Sequence, residues 1–333
     1  MLSPIPVTAL LQTLALLVRF AGFALAAVGA LAAAAAQGGR FSDRLDVLTH
    51  FAPLWLLLGV LGLIVWVLGG GRSLVRVTPI VAAAAVLLAG GLMVPELARP
   101  KAPPAPAEGE TIKLVQFNIW GRAGDPEGIV EWVRAQDADI LVFEEAFART
   151  GGVARALADD YPYQTTCAEP DPCSTMILSR RKPVSEEGLG SSVSKAWLPG
   201  AKATWRTARG EFTVIGVHYT WPVPAGPQQQ MTRRLAAVLD DLPKGSTIVA
   251  GDFNSTPWSF SLRRQDKRFG LDRRTHALAT WPAAPFSRRR IAFPFPFLPI
   301  DHVYAGHDWK TVSVTRGPKL GSDHYPVVVT LRR

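Results

Sequence analysis

Charge is what this chain of 333 residues lacks first: its opening 101 residues hold only seven Lys or Arg (Arg19, Arg40, Arg44, Arg72, Arg76, Arg99, Lys101) and three acids (Asp43, Asp46, Glu96). So sparse a polar complement leaves little there to face water. Cysteine is nearly absent too, at two residues, so at most one internal disulfide can form and a disulfide-rich scaffold is excluded. No internal repeat is present, which excludes a solenoid or a propeller. The residues beyond 101 carry +5 of the formal net charge of +9, an excess too mild to imply nucleic acid by itself.

What the opening region does contain is three apolar runs, roughly Phe20 to Ala36, Val47 to Leu68 and Leu74 to Leu92. Each is near the 20 or so residues that a helix needs to cross a hydrocarbon core. None shows an amphipathic stripe, which argues against buried helices of a soluble domain. The first has no lone basic segment before it and two more runs follow, which argues against a cleaved signal peptide. The expectation is a multi-pass membrane anchor over residues 1–99, in a cell inner membrane.

Basic residues flank every loop, so the positive-inside count is nearly a tie, but an odd number of spans puts the two termini on opposite sides. Cys167 and Cys173 bracket a Pro-containing turn that fits either a small disulfide loop or two free thiols. A disulfide persists only outside the cytoplasm, and on that ground the C-terminal domain is expected to be extracytoplasmic, that is, periplasmic. Residues 100–109 are Pro-rich and read as a stiff spacer. Residues 110–333 are then long enough for one large α/β domain.

Within that domain the hydrophobic period switches repeatedly. Thr111 to Ile119 alternates as a strand and carries Asn118 near its end. Pro126 opens a helix that buries Ile129, Val130, Trp132 and Val133, and Asp139 to Phe143 is a second strand ending on Glu144 and Glu145. Ser174 to Ser179 and Phe212 to His218 read as strands, and Gln228 to Leu242 as an amphipathic helix. Thr247 to Gly251 leads to Asp252, and Ile300 to Tyr304 and Tyr325 to Leu331 supply the last two strands. Polar residues recur at one kind of strand end, which predicts two stacked sheets with helices outside and a site along one edge.

Asn118, Glu145, His218, the Gly-Asp-Phe-Asn of Gly251 to Asn254, the Ile-Asp-His of Ile300 to His302 and the Ser-Asp-His of Ser322 to His324, in that order, resemble the endonuclease/exonuclease/phosphatase superfamily. The resemblance covers roughly residues 111–333. It implies a four-layer α/β/β/α sandwich of the DNase I type that hydrolyses phosphate esters with a divalent metal, usually Mg²⁺ with Mn²⁺ as a substitute. The membrane-spanning front end resembles that of bacterial members.

The residue types suit that chemistry. Mg²⁺ accepts hard oxygen ligands and keeps several waters, so Glu145, with Asn118 beside it and Asp323 on the same side, would suffice. Asp252 would orient or deprotonate the attacking water, and the Asn254 amide could donate to a phosphate oxygen. Asp301 would fix the tautomer of His324, which acts on the phosphate or the water, and His218 would donate to a non-bridging oxygen. Glu144 stands where the superfamily often has Gln; strand alternation points it away from Glu145, as a surface or supporting acid, and leaves open which glutamate binds metal. His302 alternates away from Asp301 and, with His50, His276 and His307, reads as structural or solvated.

The expected substrate is a phosphodiester, either nucleic acid or a lipid headgroup, with no protein partner. Arg263 and Arg264, Arg273 and Arg274, and Arg288 to Arg290 could follow a nucleic-acid backbone or be solvated faces. The phenylalanines at 293, 295 and 297 could wall the cleft, touch a bilayer or simply pack. A binding or sensor protein on a catalytically dead scaffold is the rival class, although every position where a functional residue is expected is filled.

Overall fold

The computed structural model describes residues 6–71, 76–100, 105–167, 174–190, 198–283 and 294–333. The chain divides into two units, Met1–Ala98 with Trp258–Ser261, and Arg99–Pro257 with Leu262–Arg333.

The first unit is helical: α1 (Val7–Gln37), α2 (Ala52–Leu68) and α3 (Thr78–Leu97). By length and composition all three can cross a membrane. Helix α1 begins well before Phe20 because Val7 to Val18 is apolar as well. Small residues set how closely these helices approach. A Cβ on Gly62 would stand 2.6 Å from the Ala26 nitrogen, and one on Gly22 would stand 2.6 Å from the Trp66 nitrogen. Helices without a hydrophobic driving force between them associate through such close backbone contact.

The second unit contains β1 (Thr111–Asn118), α4 (Pro126–Gln136), β2 (Ile140–Glu144), β3 (Tyr163–Thr166), β4 (Met176–Ser179), β5 (Ser185–Gly188), β6 (Gly200–Thr207) and β7 (Gly210–His218). It continues with α5 (Ala225–Asp240), β8 (Thr247–Asp252), α6 (Phe260–Phe269, which enters this unit from Leu262), β9 (Asp272–Arg273), β10 (Asp301–Ala305), β11 (Lys310–Arg316) and β12 (Val327–Arg332). Two six-stranded sheets result, ordered β11-β12-β1-β2-β4-β3 and β5-β6-β7-β8-β10-β9.

Strand alternation builds the layers. Ile112, Leu114, Val142, Val214, Ile248, Ala250, Val303 and Trp309 fill the space between the sheets. Their sequence neighbours Val115, Phe117, Leu141 and Phe143 face outward onto Ile129 and Val133 of α4. On the other outer face Ile215, Val217 and Val249 meet Met231, Leu235 and Leu239 of α5, with Leu262 and Phe269 of α6. Helix, sheet, sheet, helix is the four-layer α/β sandwich expected.

Register then gathers the polar strand ends. In the first sheet Asn118 stands beside Glu144, and in the second His218, Asp252 and Asp301 form one row across three strands. Both sets lie at the same end because β1, β2, β7 and β8 finish there while β10 and β12 start there. The two ends of this unit also meet. Glu110 and Arg333 exchange backbone hydrogen bonds of 2.8 and 2.9 Å, and Arg332 donates to the carbonyls of Pro106 and Ala107 in the expected spacer.

Gly251 is required by this arrangement: a Cβ there would stand 1.9 Å from the Val217 carbonyl oxygen on the neighbouring strand. Gly251→Ala is expected to destabilise the protein by about 3 kcal/mol or more, as overpacking against rigid backbone does. A fall in thermal midpoint, followed by tryptophan fluorescence on the full chain in detergent, measures it.

Candidate active site

All eight residues expected at the site converge at that end of the sandwich. Asp252 is nearly inaccessible and fully engaged: Oδ1 accepts from the Asn254 backbone N–H at 2.8 Å, and Oδ2 accepts from the side-chain amides of Asn118 and Asn254 at 3.1 and 3.2 Å. His324 Nδ1 donates to Asp301 Oδ2 at 2.8 Å, and its Nε2 lies 3.6 Å from Asp252 Oδ2. His218 Nε2 lies 3.7 Å from Asp252 and 3.9 Å from Glu145. Asn118 donates to Glu145 at 3.2 Å. The Asn254 amide also donates to the Tyr219 carbonyl at 2.8 Å, so it holds the Asp252 carboxylate in place.

The loop that carries Asp323 and His324 is tied to β1 by Ser322, whose hydroxyl donates to the Asn118 carbonyl at 2.7 Å and accepts from the His324 N–H at 3.0 Å. Asp323 accepts from the Trp281 indole at 3.4 Å, while its other carboxylate oxygen is buried without a partner. His302 is buried and bonded to Thr275 and the Ser255 carbonyl, a structural residue as expected. Arg273 and Arg274 are not on a solvated loop: both are buried, Arg273 against Asp266 and Arg274 against backbone carbonyls. Arg288 to Arg290, Phe293 and Cys173 lie outside the described residues, although Cys167 is one half of a disulfide.

Of the two readings open for Glu144, the structure removes the surface one. It is fully buried inside the site, where Gln116 Nε2 donates to its Oε2 and to Asp301 Oδ1, each at 2.9 Å. Alternation misled because Glu145 is not extended: its φ of 55° turns it back toward Asn118. Gln116 was missed, as was Thr280, which donates to Asp301 at 2.5 Å. Gln116 carried a usable signal, a polar residue on the same strand face as Ile112 and Leu114. Thr280, in a loop, carried none.

Electrostatics follow from burial. Burial works against a charge on His324, yet Asp301 and then Asp252 outweigh it and raise the ring well above its ordinary value. Burial would raise Asp301, but the His324 charge and the hydrogen bonds from His324, Thr280 and Gln116 bring it below the usual carboxylate range. Asp252 is pushed up to about 8, by burial first and by Asp301 as well, with His324 opposing. Glu144 is raised well above its usual value by burial, then by Asp301 and Asp252. His218 is lowered by burial, against the pull of Glu145.

A cation suits this donor set. Glu145, Asp252 and Asp323 are hard oxygen donors, and the partnerless buried oxygen of Asp323 is an acceptor that needs a positive neighbour. Asp252, Asp301 and His324 also present ligand atoms within 4.8 Å of one another.

Burial, Asp301 and Asp252 together favour the protonated form of Glu144. Glu144→Gln, an isostere of that form, is expected to keep turnover within about twofold, whereas a metal-binding Glu144 would lose about 100-fold or more. The folded chain without metal holds protons on Asp252 and Glu144 that the unfolded chain releases, so its stability falls as pH rises from about 4 toward about 8. Thermal midpoints across that window in a chelator check the sign, and the fall should be smaller in Glu144→Gln.

The model of the Endonuclease/Exonuclease/phosphatase family matches residues 115–324. No curated protein matches the chain. Among solved structures, sphingomyelinase C from Streptomyces griseocarneus is similar at 19% identity and a TM-score of 0.51, over 66% of this chain and 99% of that one. D. rerio TDP2, complexed with a single-strand DNA product, is similar at 15% and 0.52, over 67% of this chain and 100% of the other. A mutant beta toxin from Staphylococcus aureus with bound magnesium ions gives 14% and 0.51, over 66% and 99%. At such identities these likenesses concern the fold. The family match spans well over half of the residues and coincides with the sandwich and its polar rim, and the chain belongs to the endonuclease/exonuclease/phosphatase family.

Proposed function

We propose that this protein is a membrane-tethered, divalent-metal-dependent hydrolase of phosphodiesters. Family membership supports a metal-dependent phosphoesterase. The observation that carries the finer reading is the placement of His324 between Asp301 and Asp252, at 2.8 and 3.6 Å, beside Glu145, Asn118 and His218.

In this reading a water attacks phosphorus in line with the ester oxygen that leaves, and Asp252 orients it and takes its proton. Asn118 and Asn254 hold the Asp252 carboxylate at a fixed angle, so its aim costs no reorganisation during reaction. His324, kept charged by Asp301, directs Nε2–H toward the phosphoryl oxygens, and neutral His218 offers a second donor. A divalent cation held by Glu145, Asn118 and Asp323 would supply positive charge to those oxygens and favour the ionised form of Asp252.

A lipid headgroup diester is a second reading, favoured by exposed apolar side chains in the site's neighbourhood. Trp221, which packs edge-on against Trp281, is 58% exposed, and Val223 and Phe295 are 64% and 65% exposed. Similar folds occur in a sphingomyelinase and in a protein bound to a DNA product, so the fold accommodates either class.

The full chain in detergent with Mg²⁺ or Mn²⁺ should cleave bis-(p-nitrophenyl) phosphate and lose that activity to a chelator. Asp252→Ala and His324→Ala should each lower turnover by about 10²–10⁴. Absence of turnover on this diester, on plasmid DNA, on monoesters and on phospholipid would sink the proposal and leave a binding protein. Cleavage of phospholipid but not DNA would select the lipid reading.

Residues 1–99 serve in this proposal as anchor, 100–109 as linker and 110–333 as the catalytic domain, on the periplasmic side of an inner membrane. The disulfide at Cys167 supports that side. Protease added to intact spheroplasts should then degrade the catalytic domain; protection until lysis would reverse the orientation.

A further inference from the structure

Within the second unit a cavity of about 840 Å³ is lined by β9 and β11, the edge strands of the two sheets. It lies away from the catalytic end: Asp301 opens β10 and Ala305 closes it, about 13 Å further on at 3.3 Å per residue. Arg274, in the cavity wall, donates through Nη2 to the carbonyls of Ala305, Gly306 and Trp309 at 2.9 to 3.0 Å.

Among the described residues eight buried side-chain atoms lack a hydrogen-bond partner. Three of them, on Gln116, Glu144 and Asp323, belong to the candidate active site, and three others, Arg274 Nε, His276 Nε2 and Thr311 Oγ1, belong to residues lining this cavity. A buried polar atom without a partner is costly, and these three lie behind the cavity wall rather than on its open surface.

The donors define the ligand. Arg274 can only donate, as can Lys310 at the exposed rim, and His276 and Thr311 can donate as well. Asp272 is the one acid among the described residues that line the cavity with Arg99, Arg274 and Lys310; it is 3.8 Å from Arg274 and 75% exposed. Burial and Arg99 both work against the Arg274 charge, and only Asp272 supports it. An acceptor-rich anion complements this predominantly basic lining, and the volume admits a molecule much larger than a bare ion.

We propose that this cavity is a second ligand site, separate from the catalytic end, that binds the phosphate group of an organic phosphate ester, with a small adjustment of the exposed wall around Lys310. Either a phospholipid or a soluble ester can supply that group. Arg99 follows Leu97, the last residue of α3, by two positions, so the lipid source must be tested beside the soluble one.

The experiment uses full-length Asp252→Ala in detergent, which disables the other phosphate-handling end. Its thermal midpoint is measured against glycerol 3-phosphate, short-chain phosphatidic acid and inorganic phosphate, with chloride at equal ionic strength as control. A saturable rise is expected with at least one ester, together with at least a tenfold loss of apparent affinity in Lys310→Ala/His276→Ala. Those two positions are chosen because Arg274 also anchors backbone. A rise with phosphatidic acid alone identifies a lipid source, and a rise with glycerol 3-phosphate identifies a soluble one. No saturable rise with either ester, or a rise unchanged in the double variant, overturns the proposal.

Discussion

Three carboxyl groups, Asp252, Asp301 and Glu144, are buried together where the two sheets meet, and that concentration of acid is the constraint around which the catalytic unit is organised. Carboxylates removed from water at such density either take up protons or acquire positive neighbours. Both happen here. Glu144 and Asp252 tend toward the protonated form, and Asp301 stays ionised by sharing His324 with its surroundings. Gln116 bridges two of the acids through one amide, so a side chain in the middle of a strand controls groups at its end.

The backbone departs from regularity at the same place. Trp120, Glu145 and Asn254 all adopt positive φ, at 48°, 55° and 47°. Such angles in non-glycine residues are costly and persist where surrounding structure enforces them. Each follows directly on a strand end or lies within two residues of one, and each redirects a chain that would otherwise continue its alternation. The site is therefore made where two regular sheets stop, by turns that aim side chains inward.

The fold was legible wherever burial imposed a period. The strand from Thr111 alternates, those from Ile140, Gly210 and Thr247 carry short continuous apolar runs, and their ends carry the motifs that locate the site. Strands without that contrast were silent. Tyr163–Thr166 and Ser185–Gly188 are short and polar, and in Gly200–Thr207 the inward residues Ala201 and Ala203 are too small to stand out against Lys202 and Thr204. The polar helix Phe260–Phe269 buries few apolar side chains and was missed for the same reason. Within the site the ligand-type residues were readable because strand ends are short-range features, whereas the return of Glu145 to the side of Asn118 depends on a left-handed turn that its neighbours in sequence do not announce.

The mutual clasp of Glu110 and Arg333 has an implication for architecture. A sandwich whose entry and exit share a pair of backbone hydrogen bonds returns to its starting point, so it occupies a single attachment spot on whatever carries it. Such a body could hang from a helix at either terminus, or sit as an insert within a longer polypeptide, with its layers undisturbed.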